Sequence, residues 1–478
     1  MLFSSPIFLF LFLPLFFLIY FCSARSRNRG TILLASFLFY FWGEPTFSLI
    51  VAASIGTDWL ITHLIMRANE RPYIKKIVLA FGIFLNIGLL IFFKYTNFLI
   101  ANYNLLLHQF GISGVHFSNV ALPIGVSFVV FEKITYLVDV YRGTTAPAKD
   151  ILSYATYILL FPKLLAGPIV KYHEIESQLS ESHADLNDIV LGISRFIYGL
   201  AKKVLIADAL GLTADQVFAA DPGSLSPYTA WMGAVFFCLQ IYLDFSAYSD
   251  MAIGLGRVLG FTLRENFNHP YHSMNFTDFW RRWHISLSAW IKEYLYMPLG
   301  GNRCTKTRTY FNLWFCFLIS GIWHGANWTY VIWGIYHGFF LVCDKLFWLR
   351  ISSKIPKHMN VCITMFFVIL GWVIFRSPNL HSAIAFLSSM FSFASMTPWH
   401  PDTVHFPLSS YCFLILALLI TVSPRSVPFP LYTTNFIRKL SVPAIPSLLQ
   451  FGCSIFLLIL SLVKVSSASF KPFLYFRF

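Results

Sequence analysis

The chain has 478 residues, of which 57% are hydrophobic and 12% are charged, with a mean hydropathy of +0.66. Because a soluble domain carries about 25% charged residues, this composition excludes an ordinary soluble protein. The net charge of +14 lies mainly in short loops beside apolar runs, so we interpret it as a sign of membrane topology and not of nucleic-acid binding.

Apolar runs long enough to cross a bilayer recur along the whole chain. About 20 apolar residues span the hydrocarbon core, and this length gives candidate runs at 2–22, 31–66, 77–108, 117–140, 151–170, 189–211, 227–263, 310–349, 358–375, 405–423 and 446–465. Gly43-Glu44-Pro45 should divide the second run, because proline ends a helix. The first run lacks a basic start and a clear cleavage site, so we expect a membrane helix and not a signal peptide. We predict an all-α polytopic membrane protein of about 10–12 transmembrane helices.

The stretch 171–188 is more acidic than its surroundings. It carries Glu174, Glu176, Glu181, Asp185 and Asp188. We interpret it as a solvated polar loop between two membrane segments. No stretch of the chain is polar enough over a sufficient length to predict a separate aqueous domain.

Strongly polar side chains occur inside apolar runs at three places. Such a group costs about 2.5–3.5 kcal/mol to insert, so it normally faces protein or a water-filled cavity and serves a function. The first place, 240–266, contains Asp244 and Asp250. Their spacing puts the two carboxylates on different faces of a helix, which disfavours a paired acid–base site. We favour helix capping or a polar re-entrant turn.

The second place, 275–301, has the apolar spacing of one amphipathic helix. Its apolar stripe contains Trp280, Trp283 and Trp290. A tryptophan-rich interfacial helix accounts for this pattern without any chemistry. His284 falls at the edge of the stripe, and the spacing leaves its role open between packing and function.

The third place, 319–340, embeds His324, Asn327 and His337 among aromatic residues that include Trp323 and Trp328. Glycines at 321, 325, 334 and 338 allow a broken helix or close packing around a cavity. We favour a functional role for His324 and a structural one for His337. The chain has no HExxH motif, GxSxG motif or P-loop, so we expect no metal site and no bound cofactor.

The chain resembles the membrane-bound O-acyltransferase (MBOAT) family, and within it the bacterial branch of alginate O-acetylation membrane proteins. The resemblance rests on several long motifs in the family's order: 122–128, 136–143, FPKLLAGPIV at 161–170, GLAKKVLIAD at 199–208, 240–254, FWRRWHISLSAWIKEYLYMPLGGNR at 279–303, WHG at 323–325, LGWVIFR at 370–376 and 472–478. It implies one membrane domain over 1–478, with N-terminal helices in 1–115, a family core in 116–345 and C-terminal helices in 346–478. Re-entrant and amphipathic helices would surround a central tunnel.

The resemblance also implies roles for individual residues. His324 corresponds to the family's near-invariant tunnel histidine and His284 to its second motif histidine, so both are candidate catalytic residues. Further candidates for the tunnel are Trp283, Trp323, Asn327, Trp328, His337 and Asp244. Glu132 and Lys163 stand where the family pattern leads us to expect glutamine, which suggests a Glu–Lys contact in this chain.

By this resemblance we expect a multi-pass protein of the bacterial cytoplasmic membrane that moves an acetyl group from cytoplasmic acetyl-CoA toward a polysaccharide hydroxyl. Acyl transfer needs a base and a site without water, and imidazole, with an unperturbed pKa of about 6.5, can act as that base. His324 would be general base or nucleophile, and His284 would orient the donor or polarise its carbonyl. A periplasmic SGNH-type transferase or esterase would pass the group to alginate, peptidoglycan or another glycan.

Two other classes of function stay open at this point. The same intramembrane histidines suit a transporter or pore for an acyl group or small metabolite. A scaffold that has lost its activity is disfavoured, because the WHG and RRWHISLS motifs are both intact.

Overall fold

The computed structural model describes residues 1–23, 28–180, 184–392, 404–422, 445–467 and 473–474. Glu181 of the acidic stretch lies outside these ranges, and only Phe473 and Leu474 of the terminal motif fall within them. The residues in these ranges form helices joined by turns and loops, and none of them is in a β-strand.

Four of the described helical segments are long and apolar enough to cross a bilayer: Pro45–Arg67, Pro72–Gln109, Pro227–Val258 and Lys357–Arg376. Shorter apolar helices cover Phe8–Cys22, Leu380–Phe391, Leu408–Val422 and Phe451–Ser467. The prediction of an all-α polytopic membrane protein is therefore confirmed. The number of crossings, about ten to twelve by the length of a bilayer span, stays a prediction.

The chain divides into two compact units. The first comprises Met1–Ile193 and Ala252–Arg264, and the second comprises Ser194–Met251 and Glu265–Phe478. The three-part division of the membrane domain at residues 115 and 345 stays a prediction.

The helices of the first unit are α1 Leu13–Cys22, α2 Asn28–Gly43, α3 Pro45–Arg67, α4 Pro72–Leu90, α5 Thr96–Gln109, α6 Val126–Arg142, α7 Ile151–Leu159, α8 Phe161–Leu164, α9 Tyr172–Ser180 and the start of α10 Leu186–Ala201. π-Helical turns at Phe8–Phe12 and Ile91–Tyr95 precede α1 and α5. The predicted break at Glu44 is confirmed, because α2 ends at Gly43 and α3 begins at Pro45. Proline suits the first turn of a helix, where its missing N–H costs nothing.

The acidic stretch was predicted as a loop, and this prediction is wrong for most of the stretch. It contains α9 and the beginning of α10. Tyr172, Ile175 and Leu179 are buried, and their spacing of three and four residues is that of a helix face turned toward the core. Asp185 caps the start of α10, since it accepts a hydrogen bond from the backbone N–H of Asp188 at 2.7 Å.

Buried charges of the first unit are paired. Lys133 Nζ lies 3.2 Å from Asp58 Oδ2, and Asn86 donates to the other oxygen of this carboxylate at 3.0 Å. The Lys163 ammonium contacts the Glu132 carboxylate, and both side chains are buried. The contact between the two residues that depart from the family pattern is therefore present.

The second unit contains the rest of α10, most of α12 Pro227–Val258, and α11 Asp208–Ala219, α13 Phe276–Arg282, α14 Ile285–Ile291, α15 Lys306–His324, α16 Trp328–Cys343, α17 Leu349–Ser352, α18 Lys357–Arg376, α19 Leu380–Phe391, α20 Leu408–Val422 and α21 Ile445–Ser467. π-Helical turns lie at Lys202–Ala207, Lys292–Tyr296 and Asp344–Trp348, and short 3₁₀ helices at Pro222–Ser224 and Pro270–His272. A buried core connects α11, α12, α18 and α19 through Val217, Ala230, Ala234, Val373, Phe386 and Met390.

Helices α15 and α16 form a tight hairpin whose two glycines touch. A Cβ atom on Gly321 would lie 2.3 Å from the carbonyl oxygen of Tyr330 and 2.8 Å from Cα of Gly334. A Cβ atom on Gly334 would lie 2.5 Å from the carbonyl oxygen of Phe317. Small residues allow helices to approach this closely within a membrane. The glycines predicted to permit close packing or a broken helix do both, because Gly325 also ends α15 in an extended conformation.

We expect Gly321→Ala to destabilise the protein, because its methyl group would overlap the backbone of α16. Overpacking of this kind costs about 1–3 kcal/mol or more. Thermal unfolding of purified protein in detergent measures the effect. Gly452→Ala is the matched control, since no atom of the described residues beyond its own helical turn lies within 4 Å of its added Cβ. Equal melting temperatures for the two variants would contradict the close packing of this hairpin.

We expect Lys163→Met to lower stability by about 3–5 kcal/mol, because it leaves the Glu132 carboxylate buried without its partner. The double variant Glu132→Gln/Lys163→Gln should lose less, because it removes both charges together. Thermal unfolding tests this, with Lys464→Met on an exposed helix face as control. If Lys163→Met is as stable as the double variant, then Lys163 does not stabilise the buried charge of Glu132.

Candidate active site

His324 is the last residue of α15 and is almost completely buried, with 6% of its surface exposed. Aromatic rings surround its imidazole: the ring centre of Trp333 lies 5.0 Å away, that of Trp323 5.1 Å and that of Phe375 5.4 Å. These residues come from α15, α16 and α18. The glycine hairpin and the neighbouring helix α18 thus hold the imidazole in an aromatic environment.

His324 lines a small cavity of about 20 Å³ within the second unit. This volume is enough for about one water molecule. The remaining lining residues are all apolar or aromatic: Ile241, Phe245, Trp283, Trp333, Trp372, Phe375, Phe473 and Leu474. His324 is therefore the one titratable side chain in the described lining, and the space beside it is apolar.

His284 lies in a sharp turn between α13 and α14 and not within one amphipathic helix, so the predicted continuous helix is wrong. Its backbone is left-handed, with φ 45° and ψ 57°, a strained conformation for a residue other than glycine. Asn266 holds this turn, because its backbone carbonyl accepts from Ile285 N–H at 2.9 Å and its Oδ1 accepts from the Ser286 hydroxyl at 2.7 Å. Trp283, before the turn, is buried and not interfacial.

The Asn266 contact determines which nitrogen of His284 carries the proton. Oδ1 of Asn266 also accepts from the backbone N–H of Ser286 at 3.2 Å, so this atom is an acceptor. His284 Nδ1, 3.3 Å away, must then be the donor. In a neutral imidazole the other nitrogen has a free lone pair, and Nε2 of His284 is buried without a hydrogen-bond partner among the described residues.

The two candidate catalytic histidines do not share the cavity surface. His284 is absent from the lining, and its ring packs edge-on against Phe245 with the ring centres 4.7 Å apart. Phe245 itself lines the cavity. His284 is thus one side chain removed from the space beside His324.

The other residues predicted to line the tunnel differ in their positions relative to the cavity. Trp283 lines the cavity, and Trp323 is buried against His324 but outside the lining. Asn327 caps α16 by accepting from Thr329 N–H at 3.1 Å. Trp328 is absent from the described cavity lining, and 49% of its surface is exposed.

His337 is fully buried in an aromatic cage behind the cavity wall. Its ring centre lies 4.7 Å from that of Trp333 and 5.1 Å from that of Trp280. Neither ring nitrogen has a hydrogen-bond partner in the part of the chain that the structure describes. His337 therefore contacts Trp333, which lines the cavity, without lining the cavity itself.

Asp244 lies within the continuous helix α12, so the predicted cap or re-entrant turn is wrong. Its Oδ1 is 2.8 Å from Lys203 Nζ, and its Oδ2 accepts from the backbone N–H of Leu474 at 2.7 Å. Asp250 pairs instead with Arg195 at 2.8 Å. The two carboxylates thus have separate cationic partners, and Asp244 fixes a residue that lines the cavity.

Sequence reasoning missed several residues of this site: Asn266, Trp333, Trp372, Phe375, Phe473 and Leu474. Trp372 and Phe375 belong to the LGWVIFR motif, and Phe473 and Leu474 to the terminal motif. The family resemblance included these two motifs, but the spacing of the residues along the chain did not predict that they lie beside His324. Asn266 precedes His284 by 18 residues, and helical periodicity does not connect positions so far apart.

Comparison with known proteins identifies the family. The model of the MBOAT, membrane-bound O-acyltransferase family matches residues 147–387. A probable alginate O-acetylase of Azotobacter vinelandii is 38% identical over 100% of both chains. A peptidoglycan O-acetyltransferase of Helicobacter pylori is 38% identical over 82% of this chain and 80% of its own.

A teichoic acid D-alanyltransferase of Bacillus subtilis is 27% identical over 54% of this chain and 69% of its own. The match to alginate O-acetylases spans the full chain, whereas this one covers about half of it. Both the motif histidines His284 and His324 fall within the residues that the family model matches. The chain therefore belongs to the membrane-bound O-acyltransferase family, in the branch of the bacterial alginate O-acetylases.

Proposed function

We propose that this protein takes an acetyl group from acetyl-CoA and passes it toward hydroxyl groups of an extracytoplasmic polysaccharide. Membership of the family makes it an acyltransferase, and the names of its relatives favour acetyl transfer to a glycan. The observation that carries the proposal is the position of His324, the one titratable side chain in the described lining of a small apolar cavity.

The chemistry needs a base in a place that water does not reach. A hydroxyl oxygen attacks the thioester carbonyl, a C–O bond forms, the C–S bond breaks, and the proton of the hydroxyl ends on the thiolate that leaves. His324 would take this proton and return it to the sulfur as general acid. The apolar lining limits hydrolysis of the thioester, since the cavity has room for only about one water molecule.

The hydrogen bond between His284 and Asn266 favours some catalytic roles of His284 over others. Polarising a carbonyl group requires an N–H donor at the free nitrogen, but Asn266 accepts from Nδ1, which leaves Nε2 of the neutral ring as an acceptor. We therefore assign His284 a role as a proton acceptor or as support for Phe245, and not as an electrophile. Asn266 is its positioning residue.

The size of the cavity limits which molecule can accept the acetyl group beside His324. A space of about 20 Å³ is far too small for a sugar ring, so the hydroxyl that attacks the thioester beside His324 would belong to a partner protein, and the polysaccharide would receive the acetyl group from that partner. A periplasmic SGNH-type transferase or esterase would complete the transfer, with this protein in the bacterial cytoplasmic membrane and acetyl-CoA supplied from the cytoplasm. Alginate and peptidoglycan are the acceptors that the names of the relatives suggest.

The alternative of a transporter or pore has less support. A path for a metabolite needs polar groups or continuous space along it. The described cavity beside His324 is apolar and about 20 Å³ in volume. An assay for transfer chemistry separates the two functions directly.

We expect His324→Asn to lower acetyl transfer by about a hundredfold or more, because a general base contributes about 10²–10⁴-fold. The measurement is transfer of labelled acetyl from acetyl-CoA in membranes that also contain candidate periplasmic partners. The exposed His381→Ala is the matched control and should keep wild-type transfer. Wild-type transfer by His324→Asn, at equal protein levels, would remove His324 from the chemistry.

We expect Asn266→Ala to cost about 1–3 kcal/mol of stability, because it leaves buried donors without their acceptor. It should also change the pH profile of acetyl transfer, because His284 loses its fixed tautomer. Asn266→Asp should restore part of the activity, since a carboxylate accepts from the same donors. Ser286→Ala removes one of these donors and should have the smaller effect. An unchanged pH profile in Asn266→Ala would mean that Asn266 has only a structural role.

A further inference from the structure

Two residues near the end of the chain help to enclose the space beside His324. Phe473 and Leu474 are both buried and both line the cavity. The Phe473 ring packs against Tyr248 and Phe245 of α12, with ring centres 4.8 Å and 5.7 Å apart. This short segment therefore forms one wall of the candidate active site.

Asp244 fixes the position of this wall through the backbone. Its Oδ2 accepts from the N–H of Leu474 at 2.7 Å, in a buried hydrogen bond. Its other oxygen pairs with Lys203 at 2.8 Å, which holds the carboxylate in place. The bond is made by the backbone of Leu474, so it does not depend on the side chain at this position.

The cavity is small enough to select by size. Its volume of about 20 Å³ is close to the space of one water molecule or one methyl group. The rings of Trp323, Trp333 and Phe375 pack around the His324 ring, and two of them, Trp333 and Phe375, also line the cavity. An acyl group with its carbonyl carbon at the imidazole would have to place the rest of its chain in this cavity.

We propose that Leu474 limits the acyl group that this protein transfers to two carbon atoms. The proposal rests on the proposed acetyl transfer and adds the basis of its selectivity. An acetyl group places one methyl group in the cavity, whereas propionyl and butyryl groups would press their further carbons against the Leu474 side chain. One extra methylene in such a pocket changes relative rates by about 10- to 200-fold.

Leu474 and Ile241 are the two aliphatic residues of the described lining, and we choose Leu474 because Asp244 holds its backbone in place. Most of the others are aromatic rings that contact one another, such as Trp283 and Trp372 at 4.9 Å and Trp333 and Phe375 at 5.2 Å. Shortening one of those would disturb its neighbours. Shortening Leu474 leaves its backbone bound to Asp244, so the space should stay open instead of collapsing.

The test compares acetyl-CoA, propionyl-CoA and butyryl-CoA as donors in membranes containing the full chain, with labelled acyl groups. The readout is the ratio of propionyl or butyryl transfer to acetyl transfer, which does not depend on the amount of protein. We expect Leu474→Ala to raise these ratios by about tenfold or more. Leu474→Val removes a single carbon atom and should raise the propionyl ratio more than the butyryl ratio.

Leu419→Ala is the matched control, because the same atoms are removed from a side chain that is 65% exposed on α20. Its ratios should equal those of the wild type. Wild-type ratios in an active Leu474→Ala would overturn the proposal. Loss of all transfer in both Leu474 variants, with wild-type amounts of protein in the membrane, would also overturn it, because Leu474 would then be needed for turnover and not for size selection.

A wild-type protein that transfers none of the three groups would contradict the proposed function, and this inference with it. A wild-type protein that transfers all three equally would leave the proposed function standing and overturn the size limit alone. These two results separate a failure of the acyl-transfer assignment from a failure of the selectivity.

Discussion

Burying an imidazole among apolar side chains costs free energy, because the ring gives up its hydrogen bonds to water. The side chains and helices packed around His324 must offset this free energy. The hairpin of α15 and α16 brings the ring to the cavity, and the contact between Gly321 and Gly334 allows the hairpin to close. The ring of Phe245 on α12, the ring of Trp283 directly after α13, rings of α16 and α18, and the segment Phe473–Leu474 then complete the enclosure.

The protein treats buried charges and buried histidines differently. Lys133 and Lys163 in the first unit and Asp244 in the second each have a partner of opposite charge. His284 and His337 instead keep ring nitrogens that no described residue hydrogen-bonds. Unpaired buried polar groups are costly, so the fold loses stability at these two rings, which pack against the cavity-lining residues Phe245 and Trp333.

The sequence was sufficient to predict the class of protein, but not the geometry around its two motif histidines. Hydropathy predicted the membrane helices because length and composition determine membrane insertion. The turn at His284 escaped prediction because the apolar spacing continues across it, although the backbone there is left-handed. The pairing of Asp244 with Lys203 joins two separate helices, and periodicity within one helix contains no information about such a contact. Trp328 lies in the same apolar run as His324, but it is on the exposed side of α16.

In the proposed mechanism the acyl group reacts in the cavity beside His324. A structure of the full chain with a thioether analogue of acetyl-CoA that cannot transfer its acyl group would show where the acyl group binds. We expect the methyl group in the cavity and the reacting carbon about 3–4 Å from a His324 ring nitrogen or from the acceptor oxygen that this nitrogen contacts. An analogue bound with its acyl group outside this cavity would show that the reaction takes place elsewhere.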